Sequence, residues 1–192
     1  MANANRPSGL SPWSTLTGAP WNGQPRLYSI AAAYASAIAI GDPVKTTGSA
    51  DSYGYPNISL AAAGEPIRGV VVGIGTQRGL IANPGNLDST IRPAAAQATD
   101  WYALVVDDPT VVYSIQASSA LAAADIGLNA DVTAGANNGF VSGYVMAAPT
   151  AAGATAQLRI LGLVDSIDNT YGLYAKVLVK INEDELTSAT GT

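Results

Sequence analysis

The 192-residue chain has no histidine and no cysteine. The first absence removes the commonest general base and the commonest metal ligand. The second removes the best nucleophile at neutral pH and any disulfide. Neither a Ser-His-Asp nor a Cys-His arrangement can be assembled, and zinc sites built on these two residues are excluded with them. Charge is scarce as well: only 12% of residues are Asp, Glu, Lys or Arg, about half the usual ~25%. Such a light surface fits either a bland Gly/Ala-rich barrel or a protein covered by neighbours.

No apolar run reaches the ~18 residues of a membrane-spanning helix. The first residues, Met1 to Pro7, have no hydrophobic segment behind them and do not read as a signal peptide. No membrane partner is expected. Net charge is −5, from 14 acidic and 9 basic residues. The basic residues are spread along the chain, from Arg6 to Lys180, with no local cluster. The electrostatic drive toward nucleic acid is therefore weak, and no nucleic-acid partner is expected.

What is present is apolar and small-residue rich. The hydrophobic fraction is 48%, near the globular norm, and a chain of this size buries roughly 70% of its unfolded surface. Residues 1–26 differ from the rest. Pro7, Gly9, Pro12, Gly18, Pro20, Gly23 and Pro25 forbid a helix there and discourage a central strand. Trp13 and Trp21 nevertheless lie in this segment, with Leu10 and Leu16, and Tyr28 follows directly. Aromatics on an extended arm make sense where the arm docks, on its own domain or on a neighbouring subunit. Leu10, Trp13, Leu16, Trp21 and Tyr28 are the candidate interface residues.

From residue 27 the hydrophobic period is two. Leu173, Ala175, Val177, Val179 and Ile181 alternate with Tyr174, Lys176, Leu178 and Lys180, as in a half-buried strand. Further strands are expected at 38–45, 67–75, 101–107, 110–116, 139–146 and 155–164. Turn signals separate them, such as Asp107-Asp108-Pro109 and Asn137-Asn138-Gly139. One short helix is expected over 118–125, from its alanines and leucine. The fold class is all-β: an antiparallel barrel or sandwich over 27–192, with a jelly roll among the options, preceded by an extended arm. Helix content should stay below about 15%.

The constellations that could carry chemistry are weak. Asp107 and Asp108 are adjacent carboxylates, but in an extended chain they point to opposite faces and cannot share a reacting atom. With Pro109 they read as turn formers whose oxygens hold backbone N–H groups. Glu183, Asp184 and Glu185 read as a solvated acidic end. The run Gly69–Gly79 lacks the following amphipathic helix that phosphate loops require. Asp125 and Asp131 lack calcium-loop spacing. The nine tyrosines and Trp101 could form a sugar platform, though such aromatics usually serve core or interface. No catalytic, metal or cofactor site is expected.

An ordered set of segments adds what composition cannot. It runs through Ile40-Gly41-Asp42-Pro43-Val44, Arg68 to Gly73, and Val105 to Gln116. It continues through Asp125 to Asp131, Leu158 to Asp165, and Asp168 to Asn182. This set resembles the capsid decoration, or cement, proteins of tailed bacteriophages. The resemblance implies a non-enzymatic structural virion protein on the capsid exterior, bound across joints between major capsid protein subunits as a dimer or trimer. Near the N-terminus, Ser11, Trp13 and Ser14 replace the family's usual pattern, so no charge-based contact carries over. A carbohydrate-binding β-module displayed on a virion is the alternative.

Overall fold

The computed structural model describes residues 3–78, 90–151 and 153–187. Its strands, in chain order, are β1 (Ser11–Thr15), β2 (Arg26–Ile30), β3 (Ile38–Ala39), β4 (Pro43–Ala50), β5 (Pro56–Leu60), β6 (Gly69–Gly75) and β7 (Ile91–Arg92). They continue with β8 (Trp101–Val106), β9 (Val111–Gln116), β10 (Asn129–Ala130), β11 (Val132–Thr133), β12 (Val145–Met146), β13 (Leu158–Leu163) and β14 (Lys176–Ile181). The protein is all-β. Among the described residues the one helical element is a 3-10 turn, Ala123–Asp125. The helix expected over 118–125 is therefore corrected. Backbone bonds from Ser118 N–H to Met146 and from Leu121 N–H to Gly172 draw its first half into bridging instead, so tertiary pairing overrides a modest local propensity.

Two layers enclose two apolar cores. The first is a closed barrel in the order β2-β5-β4-β6-β8. Its pairs are antiparallel except β2 with β5, which run parallel through Ser29 and Asn57. The second is a five-stranded sheet, β1-β9-β14-β13-β10, antiparallel throughout. Strands β6 and β8 join the two layers. Val71, Ile74, Ala103 and Val105 belong to the barrel core, while Val70 and Val106 pack with Tyr113, Ile115, Val177 and Val179 of the sheet. Alternate side chains of one strand thus serve both cores, which is why 69–75 reads as a continuous apolar run rather than an alternating one.

The N-terminal arm lies along its own domain. Asn3 donates to the carbonyls of Thr170 and Leu173 and accepts from Thr170 N–H. The Gln116 side chain bonds Asn5 and the Arg6 N–H. Leu10 is fully buried in the core shared by sheet and barrel. The crossing is close: a Cβ on Gly9 would stand 2.2 Å from the Gly41 carbonyl oxygen, and one on Gly41 would stand 2.3 Å from that of Ser8. Both glycines have positive φ, +68° and +94°, where side chains are strained in any case. The arm then forms β1 at the sheet edge. Pro12, which has no N–H, is tolerated there beside an irregularity between Pro12 and Ser14.

Beneath this crossing Asp42 is buried and accepts from Ala39 N–H at 2.7 Å. Burial pushes its carboxyl up to about 6, although hydrogen bonds from Ser142 and Ala39 work against that rise. A raised folded-state value favours the folded protein at low pH, and that contribution fades as pH rises through 6. Asp42→Asn keeps an acceptor and removes the charge. Its stability relative to wild type should therefore increase by about 1–1.5 kcal/mol between pH 5 and pH 8, since a tenfold change in proton affinity is worth about 1.4 kcal/mol. Urea unfolding of both proteins at the two pH values checks this; a pH-independent difference would contradict it.

Candidate functional site

The inner face of the five-stranded sheet is covered by the barrel. Its outer face carries the residues of opposite parity: Ser114 on β9, Lys176, Leu178 and Lys180 on β14, and Arg159 on β13. Arg159 and Lys180 stand directly opposite each other, as do Leu178 and Ser114. Leu161 is exposed where the β13–β14 register shifts, between Ile160 and Gly162. Trp13 closes the β1 side with half of its surface exposed (51%). Below it a groove of about 360 Å³ runs between the arm and the 164–174 loop, bounded by Arg6, Trp13, Asp168, Tyr174 and Lys176 among others. The same loop projects Ile167, almost wholly exposed, together with Tyr171 and Leu173.

This face is also where cations collect. Arg26, Lys45 and Arg68 make ion pairs with Asp107 or Glu65, and Arg92 is enclosed by carbonyls. Among the described residues, Arg6, Arg78, Arg159, Lys176 and Lys180 have no carboxylate within ion-pair distance. All but Arg78 lie on the outer face or at its groove. The basic residues are scattered along the chain, and pairing β13 with β14 sets two of them, Arg159 and Lys180, side by side.

The five arm-side candidates divide. Leu10 and Tyr28 are buried within the chain's own cores. Trp21 is partly buried against the core shared by sheet and barrel. Trp13 and Leu16 remain about half exposed. Alternation did not reveal this division, because the arm's prolines and glycines leave no regular period to read.

At the β8–β9 turn the two aspartates take different roles. Asp108 accepts from the N–H and hydroxyl of Thr110 at 2.8 and 2.7 Å, an Asx turn in which Pro109 fixes φ. Asp107 does not hold the turn's N–H groups. Its buried carboxylate accepts from the Tyr28 hydroxyl at 2.7 Å and from Arg68 and Arg26, each at 3.3 Å. Arg68 Nε also donates to the Tyr28 oxygen at 2.6 Å. Burial, then the bond to Asp107, pushes the Tyr28 phenol up to about 12, so it remains a donor at every ordinary pH. This cluster ties β2 to the end of β8 and to the residue before β6.

The acidic run 183–185 is not a solvated end. Asp184 is buried and accepts from Leu186 and Thr187 N–H, and Glu185 holds the N–H and hydroxyl of Thr46. Asp125 and Asp131 are occupied by the backbone N–H groups of Ala122 and Gln157. Gly73 and Gly75 lie within β6, whereas Gly79 and the following 80–84 segment fall outside the described residues. Comparison of the chain with known protein families, curated proteins and solved structures finds no match.

Proposed function

We propose that the protein is a structural virion component that binds the outside of a tailed-phage capsid and cements neighbouring major capsid protein subunits, acting as a homo-oligomer. The observation that supports this reading is the outer sheet face. It is a hydrogen-bonded platform presenting Trp13 and Leu161 beside four cations that form no ion pair among the described residues. Large aromatics with flanking Arg and Lys have the composition of an interface centre and its rim. A shell strained by packaged DNA gains stability when a rigid plug bridges its subunits, and many copies multiply a modest contact.

The test is to add the protein to expanded, undecorated shells of the major capsid protein of the phage that carries it. Shell disruption temperature should rise with added protein and saturate, because a ligand bound only to the intact form stabilises it by mass action. Trp13→Ala with Leu161→Ala should weaken binding at least about tenfold, since truncating interface aromatics commonly costs ~2 kcal/mol or more. Lys180→Glu should weaken it too and reduce its salt dependence. Deleting the arm is a poorer probe, because Leu10 and β1 are built into the fold. If shells with and without the protein come apart at the same temperature, cementing is the wrong role.

A further inference from the structure

A second surface lies at the open end of the barrel, away from the sheet face. There the β4–β5 hairpin tip, the end of β6 and the start of β8 enclose a cleft of about 910 Å³. Three of its lining residues are tyrosines: Tyr53, Tyr55 and Tyr102. They are held in place. Asp51 accepts from the N–H groups of Tyr53 and Tyr55 through one oxygen, at 2.9 and 2.8 Å. Its other oxygen accepts from the Tyr102 hydroxyl at 3.2 Å. The Tyr55 and Tyr102 rings meet edge to face at 6.3 Å. Arg78 lies over one face of Tyr53, 3.1 Å from the ring centroid. Tyr53 still exposes 62% of its surface.

A tyrosine this exposed on an ordered hairpin is not serving the core. The polar groups around it mix donors and acceptors. Asp100 gives one oxygen to Ala32 N–H and has a second with which to accept a ligand hydroxyl. Gln77 supplies both a donor and an acceptor. Two carboxylates, Asp51 and Asp100, outnumber the one guanidinium, so the surroundings repel phosphate and carboxylate ligands. Flat aromatic faces flanked by carboxylate, amide and guanidinium groups suit a pyranose. Its C–H face packs on a ring while its hydroxyls exchange hydrogen bonds at the edge. Trp101, the other aromatic considered as a platform, packs against the barrel core instead, because alternation along β8 turns it away from the face that Tyr102 occupies.

We infer that the barrel-end cleft is a saccharide-binding site for a neutral sugar, with Tyr53 and Tyr55 as stacking surfaces and Asp100, Gln77 and Arg78 as the hydrogen-bonding edge. The test uses the full chain against methyl glycosides of glucose, galactose, mannose, rhamnose and N-acetylglucosamine. Saturation-transfer NMR detects binding and calorimetric titration measures it. At least one glycoside should bind. Tyr53→Ala and Asp100→Asn should each weaken it at least tenfold with the thermal unfolding transition unchanged, whereas Phe140→Ser, which alters an exposed aromatic outside the cleft, should leave it intact. Binding of none of the five glycosides overturns the inference. So does binding that survives Tyr53→Ala, or that is lost equally in Phe140→Ser. Because the cleft and the sheet face share no residue, failure here leaves the capsid test unaffected.

Discussion

Replacing Arg92 with Met is expected to lower folding stability by about 3 kcal/mol or more, the cost of leaving several buried carbonyl oxygens without their donor. Arg92 lies on β7 opposite Ile38 and is completely buried. Among the described residues its guanidinium forms no ion pair with a carboxylate. It donates instead to the carbonyls of Ala31, Ala32, Tyr34, Ser36 and Pro93, while its carbon lies 5.6 Å from the Tyr34 ring centroid. One side chain thus supplies hydrogen-bond donors to an irregular alanine-rich loop that has no ladder of its own. Met fills much of the volume but leaves these oxygens without that donor, at roughly 1–3 kcal/mol for each buried group left unmet. Lys should rescue little, because a single ammonium cannot reproduce the planar fork. Urea unfolding measures the loss; a decrease under about 1 kcal/mol would show that the loop holds itself.

Nothing in the sequence separates Arg92 from Arg159. Arg92 stands before Pro93 and an alanine run and Arg159 among leucines and an isoleucine, and neither setting tells that the fold buries the first and exposes the second. What the sequence does show is local. The alternation across 173–181 gives β14 its inner valines and outer lysines, and Asp107-Asp108-Pro109 marks the β8–β9 turn. The strands β6, β8, β9 and β13 fall within the apolar runs expected to hold them. The two-residue strands β7, β10 and β11 escape this reading, and so do three longer ones. β1 contains Pro12 and Trp13 among serines, β2 contains Arg26 and Ser29, and β5 opens on Pro56 and carries Asn57 and Ser59. Each is fixed by what it pairs with: β9 for β1, β8 for β2 and β4 for β5. The parallel β2–β5 contact that closes the barrel is equally invisible locally. The candidate surface is a product of register. A one-residue slip between β13 and β14 would put Arg159 and Lys180 on opposite faces of the sheet and dissolve the patch.

The same dependence on register sets the expected contrast between two neighbouring aspartates. Asp108→Ala should cost about 0.5–2 kcal/mol, the usual loss for a side-chain oxygen that holds an exposed backbone N–H. Asp107→Ala should cost about 3 kcal/mol or more. It leaves the buried Tyr28 hydroxyl without its acceptor and Arg68, with only 16% of its side chain exposed, without its counter-charge. Arg26 matters less, because 69% of its side chain is in water and exposed pairs contribute little. The decisive measurement is a double-mutant cycle with Tyr28→Phe. Because Tyr28, Asp107 and Arg68 form one triangle of contacts, the two substitutions should be non-additive by about 0.5–3 kcal/mol, whereas Asp108→Ala and Tyr28→Phe should add. Extended geometry at the end of β8 sends Asp107 inward and Asp108 outward, and the first then becomes a clamp between barrel strands while the second stays a turn residue. If the two alanine variants cost the same, the triangle contributes no more than a surface turn, and the barrel must be held closed by its apolar core alone.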